Sequence, residues 1–317
     1  MATVVFHHPF DSESDAIALK EALKLIGKNG DDTLIHILGN RTNEQRKRIM
    51  ETYKSMFDED LKDTLLGKLT GNFQRTMELL LIPLAEYYAK LLRRAIYGPG
   101  KDEDLLLEIL CTITNIQMSQ IKEIYQRKFG KTLEDSIKND CQTQFKQMLL
   151  LICKGERNEG VVSLDKVRND AEALFEAGEA NWATDDAAYN TLFATESYEH
   201  LRFVFQEYED ITGRTLSEAI ESETSGHLKR ALLTIVRCVE NTPAYFARKL
   251  HRVLKGSTKD PKTLMRIVVS RCEIDMVFIK AEYQKKFKDN LADIIKGNDP
   301  DNFEKLLVTL VTLEKET

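Results

Sequence analysis

Tyr53, Tyr125, Tyr208 and Tyr283 stand 72, 83 and 75 residues apart, and those offsets lay the chain over itself four times. Three columns that played no part in choosing the offsets also fall into register. They are Leu34, Leu106, Tyr189 and Leu264; Leu61, Leu133, Leu216 and Leu291; and Phe73, Phe145, Leu228 and Phe303. A chain that repeats itself in this way must be built from like supersecondary units, each of which buries its apolar face against a neighbour.

The periodicity inside a unit is helical. In the second, Leu105, Leu106, Ile109 and Leu110 follow an i, i+3, i+4 spacing, as do Ile121, Ile124, Tyr125 and Phe129. Asp102, Thr184-Asp185 and Asp260-Pro261 supply helix-opening residues in units two, three and four. No stretch alternates like a strand, and 6 Pro with 15 Gly in 317 residues leave few breakers. The expected fold is all-α in four units, 15–86, 87–158, 170–245 and 246–317, with a short segment 1–14 in front. The offset of 83 marks an insertion of about ten residues before unit three. The polar stretch from Lys154 to Ser163 supplies that connector, 159–169 being assigned to neither unit, and divides the four units into two pairs.

Charge and cysteine usage narrow the function. A net charge of −6 argues against nucleic acid as the main partner. The longest apolar run, Met148 to Cys153, falls far short of the ~20 residues that span a bilayer. The first ten residues lack the basic and apolar regions of a signal peptide. Cys111, Cys141, Cys153, Cys238 and Cys272 are odd in number and form no C-x-x-C pair, which reads as reduced thiols of a cytosolic protein. No nucleophile elbow, zinc-protease helix or P-loop is present, so no enzyme is expected. His7-His8 reads as a flexible terminus, Arg46-Lys47-Arg48 as a solvated helix face, Ser12 and Ser14 as candidate modification sites, and Cys141 as a candidate oxidisable thiol.

The loops remain. Unit two contains Ile96-Tyr97-Gly98-Pro99-Gly100-Lys101-Asp102. Glycines one residue apart let a loop expose successive carbonyl oxygens, and calcium takes 6–8 oxygen ligands, backbone carbonyls and a carboxylate among them. On its own the pattern reads more simply as a structural turn between helices.

The fourfold repeat, the longer link between units two and three, and the stretches Ser225-Gly226-His227-Leu228, Pro243-Ala244-Tyr245-Phe246 and Ser270-Arg271-Cys272-Glu273-Ile274-Asp275 resemble the annexin family over essentially the whole chain. The resemblance implies five-helix bundles arranged as a curved disc, with units two and three packed as one module and one and four as the other. It implies Ca²⁺-dependent binding to acidic phospholipid on one face. It also implies a G-x-G-T loop between the first two helices, completed by an acid about 40 residues after the second glycine.

Tested against that pattern, unit two offers the carbonyls of Ile96, Gly98 and Gly100 with the carboxylate of Asp140. Lys101 stands where Thr is usual, beside the membrane. Unit three resembles a longer form of the loop, with Gly178, Asn181 and Ala183 as carbonyl ligands and Glu223 as the acid. Ala183 replaces a usual glycine, and Trp182, the single tryptophan, sits at the tip, where an indole suits a membrane interface. Unit one has its glycines mis-spaced and Lys68 in the acid position; unit four keeps Gly256 alone and has Asn298 there. The implied function is calcium-dependent binding of acidic membranes by a scaffold that is peripheral when calcium rises, with protein partners or self-association on the membrane. The alternative is a calcium-independent interaction scaffold whose sites have decayed.

Overall fold

The computed structural model describes residues 1–98, 102–141, 146–176, 188–256 and 260–313. Among them all regular structure is helical. Repeat one contains the helices Ser12–Ala22, Gly30–Gly39, Asn43–Phe57, Leu61–Leu66 and Gly71–Leu80. Repeat two contains Leu84–Tyr97, Glu103–Leu110, Asn115–Phe129, Leu133–Asp140 and Lys146–Cys153. Repeat three follows with Leu164–Glu176, Ala188–Thr195, Tyr198–Thr212 and Leu216–Glu223, and then with the first part of the long helix Gly226–Lys255. Asn241, at φ −159° and ψ 92°, breaks that helix just before Pro243. Its second part opens repeat four, which continues with Pro261–Arg271, Met276–Phe287, Leu291–Lys296 and Asn302–Val311.

Among the described residues the register columns are core. Tyr53, Tyr125, Tyr208 and Tyr283 are all 0% exposed, and Leu61, Leu133, Leu216 and Leu291 are buried with them. Each tyrosine lies in the third helix of its repeat. In repeats one and two that helix starts at a reciprocal capping box, Thr42 with Gln45 and Thr114 with Gln117. Asp58, Gly130, Gly213 and Lys288 end the four third helices in the left-handed region. The expected caps Asp102 and Asp260 accept backbone N–H bonds at the starts of the second helices.

The chain divides into two compact units, Met1–Leu84 with Pro243–Thr317, and Ala85–Thr242. Repeats one and four share one core and repeats two and three the other. In the first unit the terminus is pinned, contrary to the expectation for His7-His8. Thr3 and Val4 donate backbone N–H bonds to the Cys272 carbonyl, the Thr3 hydroxyl donates to Leu310 O at 2.6 Å, and the Gln45 side chain brackets the His7 backbone. Backbone pairing of this kind leaves no apolar period to read. Ser12 and Ser14 are engaged there too, Ser12 Oγ accepting from Thr52 and Ser14 Oγ donating to Asp11.

Arg46 also departs from expectation. Its side chain is 2% exposed and donates to Leu38 O at 2.9 Å and to Glu273 at 2.5 Å, while Lys47 and Arg48 pair at the surface with Glu51 and Glu44. In the second unit the polar connector is packed rather than loose: Asn115 exchanges two bonds with the Arg157 backbone, and Arg157 donates to Phe193 O. All five cysteines are buried and none is in a disulfide, Cys141 included. Burial pushes the thiols of Cys111 and Cys272 up to about 12, and that of Cys153 further in the same direction. Among the described residues no helix is long and apolar enough to cross a membrane.

Candidate calcium sites

In repeat two the first helix, Leu84–Tyr97, runs its apolar face into the core and buries Ile96 to 1% exposure. Gly98 follows directly, donating its N–H to Arg94 O at 2.7 Å. A Cβ at Gly98 would lie 2.4 Å from that same oxygen, so this helix end admits glycine alone. The fourth helix, Leu133–Asp140, is opened by the Thr132 hydroxyl and ends on the predicted acid, where Cys141 turns into extended backbone. The Tyr97 hydroxyl donates to the Asp140 carboxylate. The Arg93 guanidinium lies over the Tyr97 ring, 3.7 Å from its centre. The acid is thereby tied to Tyr97, the residue between Ile96 and Gly98. The loop-and-acid pattern does not single out Tyr97, whose one sequence signal is its place immediately before Gly98. Gly100 and Lys101 lie outside the described residues.

Repeat three reproduces the acid's setting. Its fourth helix, Leu216–Glu223, also ends on the predicted acid and is followed by an extended residue, Thr224. Glu223 is exposed; its carboxylate accepts from the Ser222 hydroxyl at 3.2 Å and stands 3.9 Å from the Arg214 guanidinium. Burial, and then the nearby Glu223 charge, push the Tyr208 phenol above its usual range. Gly178, Asn181, Ala183 and Trp182 lie outside the described residues.

Repeats one and four differ in the same element. Their fourth helices, Leu61–Leu66 and Leu291–Lys296, have 6 residues where repeats two and three have 8. Each stops at a glycine, Gly67 or Gly297, before the acid position is reached, and Lys68 and Asn298 follow as exposed residues. In repeat one the loop carboxylate is already committed, since Asp31 accepts from Gly27 N–H at 3.0 Å. Lys68 lines a cavity of about 360 Å³ together with Gly27, Asp31 and Asp301. Gly256 of repeat four reproduces Gly98, a Cβ there lying 2.3 Å from Arg252 O. The first glycine therefore shapes the helix end whether or not an acid accompanies it, and the acid is what separates the repeats.

The sequence model of one family matches four times, at residues 14–80, 87–152, 169–235 and 245–310, and that family is Annexin. The chain belongs to the annexin family. It is 42% identical to annexin A13 of Homo sapiens over 303 residues, covering 95% of this chain and 96% of that protein. Annexin A5 of Mus musculus is 38% identical over 309 residues, 97% of each chain. The solved structure of annexin III superposes with a TM-score of 0.91 at 37% identity, covering 98% of this chain and 96% of the other. Annexins are known generally for calcium-dependent phospholipid binding and as non-enzymatic membrane-binding proteins. The repeat-two residues of this annexin suit that ion: calcium is a hard cation served by oxygen donors, and a helix end that admits only glycine, with a carboxylate bonded to the tyrosine just before it, offers carbonyl and carboxylate oxygens.

Proposed function

We propose that this chain binds acidic phospholipid membranes through calcium held by repeats two and three of its central unit, Ala85–Thr242, and serves as a peripheral membrane scaffold without catalysis. The observation that carries this reading is the length of the fourth helix. In repeats two and three it extends to Asp140 and Glu223, whereas in repeats one and four it stops short of a lysine and an asparagine. Ile96, Gly98 and Gly100 would hold the ion by their carbonyls with the Asp140 carboxylate; Gly178, Asn181, Ala183 and Glu223 would do the same in repeat three. Bound there, calcium supplies a positive charge and open coordination positions for lipid phosphate oxygens. Tyr97 orients Asp140 toward the loop, and Arg93 braces Tyr97. Two sites in one compact unit make the second engagement effectively intramolecular, which raises avidity well above that of either site. Lys101 and Trp182, at the loop tips, are the side chains assigned to the lipid.

Co-sedimentation with phosphatidylserine vesicles tests this. The chain is expected to pellet in calcium and to stay in solution with chelator; equal pelleting in both conditions overturns the reading in favour of a calcium-independent scaffold, which repeats one and four on their own would suggest. Trp182 gives a second readout, because the chain has one tryptophan. Its fluorescence is expected to shift to the blue on calcium-dependent vesicle binding, and an unmoved spectrum on pelleted protein removes it from the membrane contact.

A further inference from the structure

Lys280 lies in the third helix of repeat four, Met276–Phe287, between the buried Ile279 and the buried Tyr283. Its side chain is partly buried. Among the described residues no carboxylate stands within ion-pair distance of its amine. Glu282, two residues along, projects about 200° round the same helix. Asp289, in the turn that follows, pairs with Lys255 at 3.6 Å. The helices Leu291–Lys296 and Asn302–Val311, which pack against this one, bring neither Asp293 nor Glu304 to it. The terminus docked at Val277 through Met1 O has no acid before Asp11. Burial, with no opposing charge, holds the Lys280 ammonium below the usual lysine range.

The repeats supply an internal control. The offsets that align the tyrosine column put Lys122 of repeat two at this position, between the buried Ile121 and Tyr125. Lys122 is also partly buried, but it pairs at 2.5 Å with Glu134, at the start of the fourth helix. Repeat four has Ala292 in place of Glu134, next to Leu291, which is buried as Leu133 is. Repeats one and three also lack an acid there, having Lys62 and Ser217, and they lack the lysine as well, with Met50 and Phe205 in its place. Repeat four alone keeps the cation without its anion.

We propose that Lys280 is a modification site, its amine accepting the acyl group of a small acyl thioester. A lysine that is partly desolvated and has no carboxylate partner gives up its proton more readily than a paired one, and the free amine is the nucleophile. The nitrogen attacks the thioester carbonyl carbon. The C–N bond forms as the C–S bond breaks, the sulfur leaves with the bonding electron pair, and the proton lost by nitrogen passes to the thiolate or to water. No oxidant or reductant takes part. The product amide is neutral, so the reaction removes a charge that has no counter-charge. At Lys122 the same reaction would strand Glu134, and a carboxylate left without its partner costs more than the pair contributes. The site stands apart from the proposed calcium sites, which lie in the other compact unit.

The test incubates the full chain with acetyl-coenzyme A and follows each lysine by peptide mass spectrometry, with Lys122 as the reference in the same sample. Lys280 is expected to be acetylated about threefold or more faster than Lys122, the scale of one partly exposed ion pair. A292E, which returns the carboxylate found in repeat two, is expected to bring Lys280 down to the rate of Lys122. E134A, which removes that carboxylate from repeat two, is expected to bring Lys122 up toward the rate of Lys280, and it keeps the test decisive should A292E fail to fold. A Lys280 rate equal to or below that of Lys122 in the wild type overturns the proposal. So does a Lys280 rate that A292E leaves unchanged, or a Lys122 rate that E134A leaves unchanged. Calcium-dependent pelleting on phosphatidylserine is expected to be unchanged in A292E, so this inference and the calcium reading can fail separately.

Discussion

Asp140→Ala is expected to raise the calcium needed for half-maximal binding to phosphatidylserine vesicles by about tenfold or more, because losing even an outer-shell partner of a metal ligand costs about 10–100-fold in affinity. Asp140 is the carboxylate that the structure ties to Tyr97, the residue between Ile96 and Gly98, and it arrives already oriented by that hydroxyl. Alanine at this helix end removes the ligand without disturbing the core, since the residue is only partly buried and the preceding Ile137 and Leu133 carry the packing. Glu223→Ala is expected to act similarly through repeat three, and the double variant to lose calcium-dependent binding, because the avidity of two linked sites disappears with them. Lys68→Ala, in the repeat whose loop carboxylate is bonded to Gly27, should leave binding unchanged. Tyr97→Phe separates the ligand from its support: it keeps the carboxylate and removes the hydroxyl that holds it, so a smaller rise is expected. Vesicle binding that is indifferent to both acids, or lost in the Lys68 variant alone, would put the ions in the wrong repeats.

That Asp140 and Glu223 occupy the same place in their repeats is legible in the sequence because the repeat offset is a one-dimensional quantity, whereas the forty-residue spacing that proposes them as ligands comes from the family resemblance. Tyr53 and its three counterparts were legible for the same reason, as a position buried in every repeat must stay apolar or aromatic in every repeat. The pairing of repeats one with four and two with three followed from the family resemblance, and the division into compact units agrees with it. What escaped depends on partners distant in the chain. Nothing near Arg46 announces Glu273, 227 residues away, and the neighbouring Lys47 and Arg48 make all three read as solvated charge. Thr3 and Val4 dock through backbone groups and one hydroxyl onto Cys272 and Leu310, which need no sequence period. The fourth helices were also not separable by pattern. Gly67 and Gly297 end the short ones, but no glycine marks where the long ones stop.

Arg46 carries the largest expected effect on stability. Its guanidinium is buried between the Leu38 carbonyl of repeat one and the Glu273 carboxylate of repeat four, and Glu273 also accepts the Asn43 N–H, 3.0 Å from each oxygen. Arg46→Ala removes the cation and leaves a carboxylate that is 28% exposed and a carbonyl without its donor. Breaking a buried pair from one side costs about 3–5 kcal/mol, and the partial exposure of Glu273 puts this case near the lower end. For a unit of this size that corresponds to a fall of about 6–12 °C in melting temperature. Arg46→Lys should recover little, because an ammonium cannot serve the carbonyl and the carboxylate with a rigid fork. Arg46→Met tests the other half of the account: it keeps most of the volume, so a melting temperature close to wild type would assign Arg46 to packing rather than to the ion pair. Lys47→Ala, one residue along and at the surface, should melt with the wild type. Because Arg46 lies in the unit of repeats one and four, the loss is expected to appear there, read by hydrogen exchange at Asn43–Phe57, while helices of the central unit keep their protection at low temperature. An Arg46→Ala protein that melts with the wild type would show that Glu273 and Asn43 hold this junction without it.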